Sequence, residues 1–383
     1  MKWEKVKLGD IVEFSNGINF DKSAYTNGIK LIGVSNFGER FYPDYDSLQE
    51  VKPDVVRNED LLKDGDIVFV RSNGNKELVG RCMLIRNHNE PITFSGFVIR
   101  GRIKDLQNHD PVFFTYHFKS KYFRNAMSGT AVGANIQNLS QGRLVSYIAN
   151  IPPLPVQRRI ASILSAYDDL IENNRRQIKL LEEAAQRLYK EWFVDLRFPG
   201  HEKVKIVDGV PEGWEYMGLN SIAPIITGKK DANFGTSNGV YPFFTCAQEP
   251  IKSASYSFDC NAVILAGNGD FNVKLYRGKF EAYQRTYVFS PYEKKHLYLL
   301  YHAVRNSMQQ LFQGASGSTI KFLTKPMLED IKVYVPYTKL LNTFNNNCDA
   351  IQHKLECLKT QIVKAQESRD RLLPRLMSGD IIV

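Results

Sequence analysis

Pro152-Pro153-Leu154-Pro155, together with the run from Val156 to Trp192 that follows it, decides how this chain folds. Proline has no amide donor and a fixed φ angle, so the three prolines mark the entry to a helix rather than its interior. After them, apolar residues recur at alternating steps of four and three, which is the heptad seam of a coiled coil. The seam positions are Ile160, Leu164, Tyr167, Ile171, Asn174, Ile178, Leu181, Ala185, Leu188 and Trp192.

A second seam of the same kind lies near the C-terminus. The first helix would be about 55 Å long, and a bare helix of that length needs a partner to pack against. The matching positions are Phe344, Cys348, Ile351, Leu355, Leu358, Ile362, Ala365, Arg369, Leu372 and Leu376. The two seams therefore predict two long helices that pair with each other. The polar exceptions, Asn174 and Arg369, either fix the register of the pair or lie at frayed or partner-facing points.

Composition and charge narrow the class of protein. The chain has 383 residues, 43% of them hydrophobic and 24% charged, as expected of a soluble protein with two domains and connectors. No apolar run approaches the roughly 18 residues of a membrane span, and the N-terminus has no signal core, so we expect a cytoplasmic protein without membrane contact. The five widely spaced cysteines indicate reduced thiols. The net charge of +9 favours a polyanionic partner.

The chain contains an internal repeat. Trp3-Glu4 recurs as Trp214-Glu215, and the glycines at 17 and 28 recur at the same offset, at 228 and 239. Later landmarks match at smaller offsets: Asn73-Gly74 with Asn268-Gly269, and Pro152 with Pro336. The sequence therefore predicts a tandem duplication. Most of the extra length of the first copy is predicted to be a surface insertion around residues 41–63.

Each copy contains short runs of β-branched and aromatic residues, separated by Gly, Asn and Asp, and then a helix. The predicted strands are 30–34, 66–70, 81–85 and 97–100 in the first copy, and 241–244, 262–265 and 286–289 in the second; the predicted helices are 112–127 and 295–312. Each copy is therefore expected to be an α+β globule followed by a long helix. The predicted boundaries are 1–155 for the first globule, 156–197 for the first long helix, 198–212 for a linker, 213–338 for the second globule, 339–377 for the second long helix and 378–383 for a tail.

This order of parts resembles the DNA-specificity subunits of type I restriction–modification systems. Three stretches carry the resemblance: Trp3 to Ile11, Gly65 to Arg81, and Ile151 to Ile160. The last is similar to the family's Pro-Pro-Leu-x-Glu-Gln-x-x-Ile helix entry, with Val156 in place of the glutamate. The resemblance implies an α+β fold of two tandem α/β target-recognition globules separated by two long antiparallel coiled-coil helices, with a pseudo-twofold internal repeat.

The resemblance also implies a function. Each globule would read one half of a bipartite site in double-stranded DNA, the helices would set the spacer, and the chain would not be an enzyme. Methyltransferase (modification) subunits would dock on it, and restriction subunits would join them. S-adenosylmethionine, ATP and Mg are expected only on those partners, so no cofactor or metal is expected here. The alternative is a non-catalytic structural scaffold that bridges protein partners without DNA readout, and salt-dependent DNA affinity would distinguish the two.

Candidate DNA-binding residues lie in polar loops of both copies. In the turn after the 66–70 strand, Arg71 can read guanine, Asn73 can read adenine and Lys76 can neutralise a phosphate, although an ordinary polar hairpin turn fits the same residues. Small polar residues at 129–137 and 314–321 let backbone amides approach phosphates, or form plain connecting loops. The full candidate set is Arg71, Ser72, Asn73, Asn75, Lys76, Asn135, Gln137, Lys229, Lys230, Asn268, Asp270, Lys274, Arg285, Ser318 and Lys321.

No catalytic site is predicted. Pro43-Asp44 with Glu50-Val51-Lys52 superficially matches a nuclease metal site, but the five residues between the two carboxylates leave little room for a strand, a turn and a second strand. A solvated charged insertion is the favoured interpretation. The glycine-rich run from Gly267 to Asn272 lacks the third glycine of a dinucleotide-binding loop.

The paired seams predict that helix length sets the spacer between the two half-sites. Inserting four residues after Arg176 adds about 6 Å of helix, or about two base pairs, less whatever a local stutter absorbs. We expect both half-site sequences to stay the same while the spacer grows by about one or two base pairs. The measurement is the methylated motif in cells that express the variant. An active variant with an unchanged spacer would contradict the prediction.

Overall fold

The computed structural model describes residues 3–73, 78–86, 88–128, 137–317 and 321–383, with the backbone alone at 73, 128 and 137. The chain forms two compact units: the first comprises Met1–Arg175 and Lys359–Val383, and the second comprises Arg176–Leu358. The two long helices, Leu154–Phe193 and Thr338–Ser378, each contribute residues to both units. In the described ranges, no helix is long and apolar enough to cross a membrane.

The first unit is built on a four-stranded antiparallel sheet and a smaller three-stranded sheet. The strand order is Val12–Asn16, Val98–Ile103, Ile67–Val70 and Cys82–Leu84 in the larger sheet, and Gln49–Val51, Tyr25–Ile32 and Ile92–Phe94 in the smaller. Two further antiparallel pairs join Glu4–Lys7 to Ile148–Ile151 and Ser72–Asn73 to Gln137–Asn138. The short helices are Leu8–Ile11, Pro111–Lys119, Lys121–Ser128 and Gln141–Ser146, and 3-10 turns lie at Lys22–Ala24, Val34–Asn36, Tyr45–Ser47, Pro53–Val55 and Asn58–Asp60.

Aromatic side chains fill the core between the larger sheet and the helix Pro111–Lys119. Phe69 in the sheet packs against Phe118 of this helix with 5.1 Å between ring centroids, and both rings are fully buried. Asp110 caps the N-terminus of this helix, because its carboxylate accepts a hydrogen bond from the amide of Phe113 at 2.8 Å. The predicted helix 112–127 is broken at Ser120, because this residue is extended and its hydroxyl accepts the amide of Phe123, which caps the next helix.

The second unit is built on one six-stranded sheet. Its strand order is Ile225–Thr227, Thr286–Phe289, Phe258–Ala266, Val273–Ala282, Tyr241–Phe244 and Ile251–Ser253. Shorter pairs join Ile206–Val207 to Val210–Pro211 and Glu215–Gly218 to Lys332–Val335. The short helices are Leu219–Ile222, Leu297–Asn306, Met308–Gly314 and Lys325–Glu329, and 3-10 turns lie at His201–Lys203, Ala232–Phe234 and Lys294–His296. The predicted helix 295–312 is therefore two helices, which meet at Ser307.

The two units repeat the same backbone hydrogen bonds. The amide of Leu8 donates to the carbonyl of Tyr147 at 2.9 Å, as the amide of Leu219 does to Ile331 at 3.1 Å. The strand Glu4–Lys7 pairs antiparallel with Ile148–Ile151, as Glu215–Gly218 pairs with Lys332–Val335. One predicted match is wrong by one residue. Ser72 pairs with Asn138 as Asn268 pairs with Phe322, so Asn268 corresponds to Ser72 rather than to Asn73.

The segment around residues 41–63 is not simply a surface insertion. Phe41 is 1% exposed and stacks on Tyr116 with 4.4 Å between ring centroids. Val51 and Leu62 are also buried. The prediction failed because the segment carries its own apolar residues, and these pack into the unit. Its carboxylates are engaged separately: Asp44 pairs with Arg40, and Glu50 accepts the amide of Gly28.

Within the first unit, a buried cluster joins the two long helices to the globule. Asp168 of the first helix is 2% exposed, and it accepts hydrogen bonds from Arg369 of the second helix and from Tyr116. Further along the first helix, the side chain of Asn174 donates a hydrogen bond to the side chain of Gln361 in the second helix at 3.1 Å. Because 168 pairs with 369 and 174 with 361, the helices run antiparallel here. Both polar seam positions therefore contact the opposite helix.

Within the second unit, aromatic rings fill the space between the same two helices. Phe344 of the second helix lies 4.9 Å from Phe193 and 6.0 Å from Trp192, measured between ring centroids. His302 stacks on Tyr189, and burial lowers the pKa of its imidazole to about 3. This histidine is therefore neutral and belongs to the core.

The first long helix starts earlier than the prolines suggested. It begins at Leu154, with Pro155 in the first turn, where the missing amide would have had no helical partner in any case. Gln157 is 1% exposed; its amide nitrogen donates to Pro152 at 2.9 Å, and its amide oxygen accepts the backbone amide of Asp110 at 3.0 Å. The helix entry is thereby joined to the start of the helix Pro111–Lys119.

Replacing Arg369 with Met leaves the buried carboxylate of Asp168 without a cation. We expect the free energy of unfolding of the first unit to fall by about 3–5 kcal/mol, because an uncompensated buried charge is costly. Arg371→Met, at an exposed position of the same helix, is the matched control and should stay within about 0.5 kcal/mol. The free energy of unfolding of each variant is measured by urea titration, with amide exchange in the first unit as the readout. Equal midpoints for the two variants would contradict the prediction.

Candidate nucleic-acid interface

Four loop segments of the first unit meet at one end of its sheets, and we call this set the first loop edge: residues 17–19, 71–73, 94–97 and 137–139. The amide of Ile18 donates a hydrogen bond to the carbonyl of Phe94 at 3.1 Å, and the amide of Gly96 donates to the carbonyl of Ile18 at 2.7 Å. Arg71 donates to Phe97 and accepts from Leu139, both at 2.8 Å. Segments far apart in sequence are therefore fixed to one another through their backbones.

The second unit builds the same arrangement, the second loop edge, from residues 228–230, 244–248, 267–272, 283–285 and 321–323. The amide of Gly267 donates to Arg285 at 2.8 Å, and Gly267 accepts from Leu323 at 2.8 Å. The amide of Gln284 donates to Lys230 at 2.9 Å. Gly267 thus takes the place of Arg71, and Arg285 takes the place of Phe97. The backbone is shared while the side chains differ.

The repeated glycines explain how the loops come so close. A Cβ atom at Gly17 would overlap the carbonyl oxygens of Phe94 and Ser95, and one at Gly228 would overlap those of Ala282 and Tyr283. Only a residue without a side chain allows this approach. The sequence match between Gly17 and Gly228 therefore marks the loop edges, whereas the other matched pair, Gly28 and Gly239, approaches Val51 and Ser253.

The predicted residues of the first unit lie on the first loop edge where they are described. Arg71 is half-buried, and its guanidinium donates from Nη1 to the carbonyl of Gly96 at 3.2 Å. Ser72 is partly exposed, and the backbones of Asn73 and Gln137 pair with each other. The described ends of the two loops that the sequence suggested separately are therefore paired with each other. The remaining candidates, Asn75, Lys76 and Asn135, lie outside the described residues.

The basic side chains of the second loop edge have two kinds of surroundings. Lys229 and Arg285 are exposed, and their side chains form no hydrogen bond or ion pair with the part of the chain that the structure describes. Lys230 lies over the ring of Phe234 at 4.4 Å, and Lys321 lies over Phe312 at 4.2 Å. A cation held on an aromatic face keeps its charge in a defined place. Ser318 lies outside the described residues.

The polar residues of the second loop edge form a connected network. Asn268 is partly exposed and accepts a hydrogen bond from the thiol of Cys246, whose pKa is raised by burial. Asp270 is exposed and accepts from Gln248. Lys274 donates to the carbonyl of Ala247 at 2.9 Å and to the side chain of Asn272, and desolvation lowers its pKa. Lys274 therefore holds the 244–248 loop in place, and its role toward DNA stays a prediction.

Sequence reasoning missed Gln248 and Phe97. Gln248 follows the strand Tyr241–Phe244 after three uncharged residues, none of them glycine, so no basic or glycine-rich pattern marked it. Phe97 was counted as a strand residue, but it lies in the turn before the strand Val98–Ile103 and is 58% exposed. Comparison of the two copies at this position would have found it, because Arg285 of the candidate set occupies the equivalent place.

The side chains on the two loop edges suit contact with a nucleic acid. Arginine matches the acceptors of guanine, amides match adenine, and a carboxylate such as that of Asp270 can accept from cytosine. Lysines beside them can neutralise phosphates, which fixes register without reading sequence. In the described ranges, no cluster of three or more His, Cys, Asp or Glu side chains has a geometry that could hold a metal ion.

Known proteins resemble this chain over most of its length. The family model described as "Type I restriction modification DNA specificity domain" matches residues 1–183 and 211–356. The chain is similar to the type I restriction enzyme EcoDI specificity subunit of Escherichia coli, with 35% identity over 45% of this chain and 39% of that relative. It is also similar to the MjaIX specificity subunit of Methanocaldococcus jannaschii, with 25% identity over 70% of this chain and 68% of that relative.

A solved structure shares the fold. The S subunit of a type I restriction–modification system from M. genitalium has a TM-score of 0.57 and 17% identity, over 98% of this chain and 96% of that chain. At this identity the likeness concerns the fold alone. The predicted fold class, with two repeated globules and two long helices, is confirmed. Because the EcoDI match spans 39% of that relative, the activity, substrates and partners of whole relatives are proposals for this chain.

Gly17→Ala tests the close approach at the first loop edge. The added Cβ meets two backbone oxygens that cannot rotate away, so we expect the first unit to lose about 1–3 kcal/mol of its free energy of unfolding. Gly38→Ala is the control, because nothing lies within 4 Å of the Cβ it would add. The unfolding midpoints of both variants are compared with the wild type. An unchanged midpoint for Gly17→Ala would show that the loops tolerate the extra atom.

Proposed function

Because the chain belongs to the family of type I restriction modification DNA specificity domains, we propose that it is the sequence-recognition subunit of a type I restriction–modification complex. Each unit reads one half of a bipartite site in double-stranded DNA through its loop edge. The two long helices set the spacer between the halves, as the seams predict.

The observation that supports this proposal best is the pair of loop edges with one backbone and different side chains. Arg71 N to Phe97 O and Gly267 N to Arg285 O are equivalent bonds of the same length, 2.8 Å. A shared frame that presents different side chains suits a protein that reads two different sequences with one geometry. A scaffold that only bridges proteins has no need for such a pair.

The residues divide into reading and positioning groups. Arg71 and Arg285 provide the guanidinium groups suited to guanine, and Asn268, Asp270 and Gln248 provide amide and carboxylate groups suited to other base edges. Lys229, Lys230 and Lys321 neutralise phosphates. In this proposal the second unit therefore combines sequence-independent attraction with a small set of base-reading side chains, and the first unit contributes Arg71 as a reader.

The chain performs no chemistry in this proposal. Methyltransferase subunits that carry S-adenosylmethionine bind to it and modify the DNA that it selects, and restriction subunits that use ATP and Mg join them. The chain itself holds no cofactor. A cytoplasmic location follows from the expected reduced state of its cysteines and from the place of its DNA substrate.

Arg71→Ala and Arg285→Ala test the proposal in the complex co-expressed with its methyltransferase subunits. Each variant should weaken binding to the site by about 1–3 kcal/mol and relax one base pair in one half-site only, the first for Arg71 and the second for Arg285. Lys205→Ala is an exposed control of the same charge away from the second loop edge. Affinity for half-site variants and the methylated motif in cells provide the measurements.

The alternative outcomes are distinct. If either arginine variant changes both half-sites, the units do not read independently. If the wild-type complex shows no salt-dependent, sequence-specific DNA binding, the scaffold alternative replaces the proposal.

A further inference from the structure

Phe97 is an exposed aromatic residue on an otherwise well-anchored turn. The flanking residues Phe94 and Val98 are 1% and 0% exposed, whereas Phe97 is 58% exposed. The turn is closed by the amide of Val98, which donates to Ser95 at 2.8 Å. Its position is fixed further by the hydrogen bond from the amide of Arg71 to its carbonyl. The backbone therefore holds the ring outward, although burying it would be favourable.

The ring of Phe97 lies on the first loop edge, among the residues proposed to contact DNA. Phe97 is the structural counterpart of Arg285, as the equivalent hydrogen bonds show. The guanidinium of Arg71 donates to the carbonyl of Gly96, the residue before Phe97, at 3.2 Å. Each loop edge thus presents one arginine at this hydrogen-bonded pair of positions: Arg71 in the first edge, and Arg285, the counterpart of Phe97, in the second. The first edge adds the aromatic ring of Phe97.

We propose that Phe97 determines specificity in the first half-site by packing against the 5-methyl group of a thymine, next to the base pair read by Arg71. This inference rests on the proposed function and adds a residue and a base to it. Phenylalanine is among the side chains that make apolar contact with the thymine methyl in the major groove. An outward ring in a turn that the Arg71 side chain contacts suits a base pair better than it suits phosphate, which an aromatic ring does not neutralise.

Removing the methyl group from DNA tests the contact directly. The motif methylated by the wild-type complex first identifies the two half-sites. Each thymine of the first half-site is then replaced by deoxyuridine, one at a time, and the affinity of the complex is measured. We expect one position at which the wild type loses about fourfold in affinity, the value of one buried methyl group. Phe97→Ala should bind the natural site roughly tenfold more weakly and be insensitive to deoxyuridine at that position.

Leu106→Ala is the matched control. Leu106 is also 58% exposed, and it follows the opposite end of the same strand, Val98–Ile103. This variant should keep the affinity and the deoxyuridine sensitivity of the wild type. Equal unfolding midpoints of the two variants show that a change in recognition does not come from misfolding.

Exchange of the two equivalent residues provides a second, independent test. Phe97→Arg should change the methylated motif at the same position of the first half-site, away from thymine, and leave the second half-site as it was. Arg285→Phe should alter the second half-site alone. These outcomes support the proposal even if Phe97→Ala proves unstable.

Other results overturn it. A first half-site of guanine and cytosine alone, Phe97→Ala with undiminished deoxyuridine sensitivity, or a loss of affinity equal over all sequences would each exclude the thymine contact. A Phe97→Ala chain that no longer assembles with the methyltransferase subunits would assign the ring to a protein partner instead. In all of these cases the wild-type complex still binds its bipartite site, whereas failure of the proposed function removes that binding altogether.

Discussion

The buried carboxylate of Asp168 is the constraint on which the first unit depends. A charge that is 2% exposed must be compensated, and the compensation comes from Arg369 on the other long helix and Tyr116 in the globule. A shift of either helix by one residue would leave the carboxylate unpaired. The cluster therefore selects one register of the helix pair and one placement of the globule against it. Burial in turn raises the pKa of the Tyr116 hydroxyl, so it remains a donor.

In the second unit, aromatic packing rather than a buried ion pair holds the two long helices together. Phe193 and Phe344 meet with 4.9 Å between their ring centroids, and the neutral imidazole of His302 stacks on Tyr189. Arg277 and Tyr298 both donate to Asp349, near the surface. Shape rather than charge sets the helix pairing here, because large rings fit only one arrangement of the helices. The backbone of the repeat has been retained while the side chains that hold it have diverged.

The same division holds at the loop edges. The frame consists of backbone bonds and of glycines such as Gly17 and Gly228, which no other residue can replace without overlap. Side chains that the frame presents are free to differ, as Phe97 and Arg285 do at one equivalent position. Lys274 illustrates a third kind of residue: its ammonium is used inside the protein, to hold the 244–248 loop. A basic residue near a candidate interface is therefore not by itself a contact.

The sequence by itself determined the two long helices and the repeat, and it indicated the segments around Arg71 and Gln137 as candidates. These features follow from periodicity and from identities along the chain, which are local properties. Only the tertiary structure decided that the two loops form one edge, that Arg369 compensates Asp168, and that Phe97 stands where the second copy has Arg285. Each of these depends on hydrogen bonds between segments distant in sequence, and no local pattern specifies which distant segment a residue will meet.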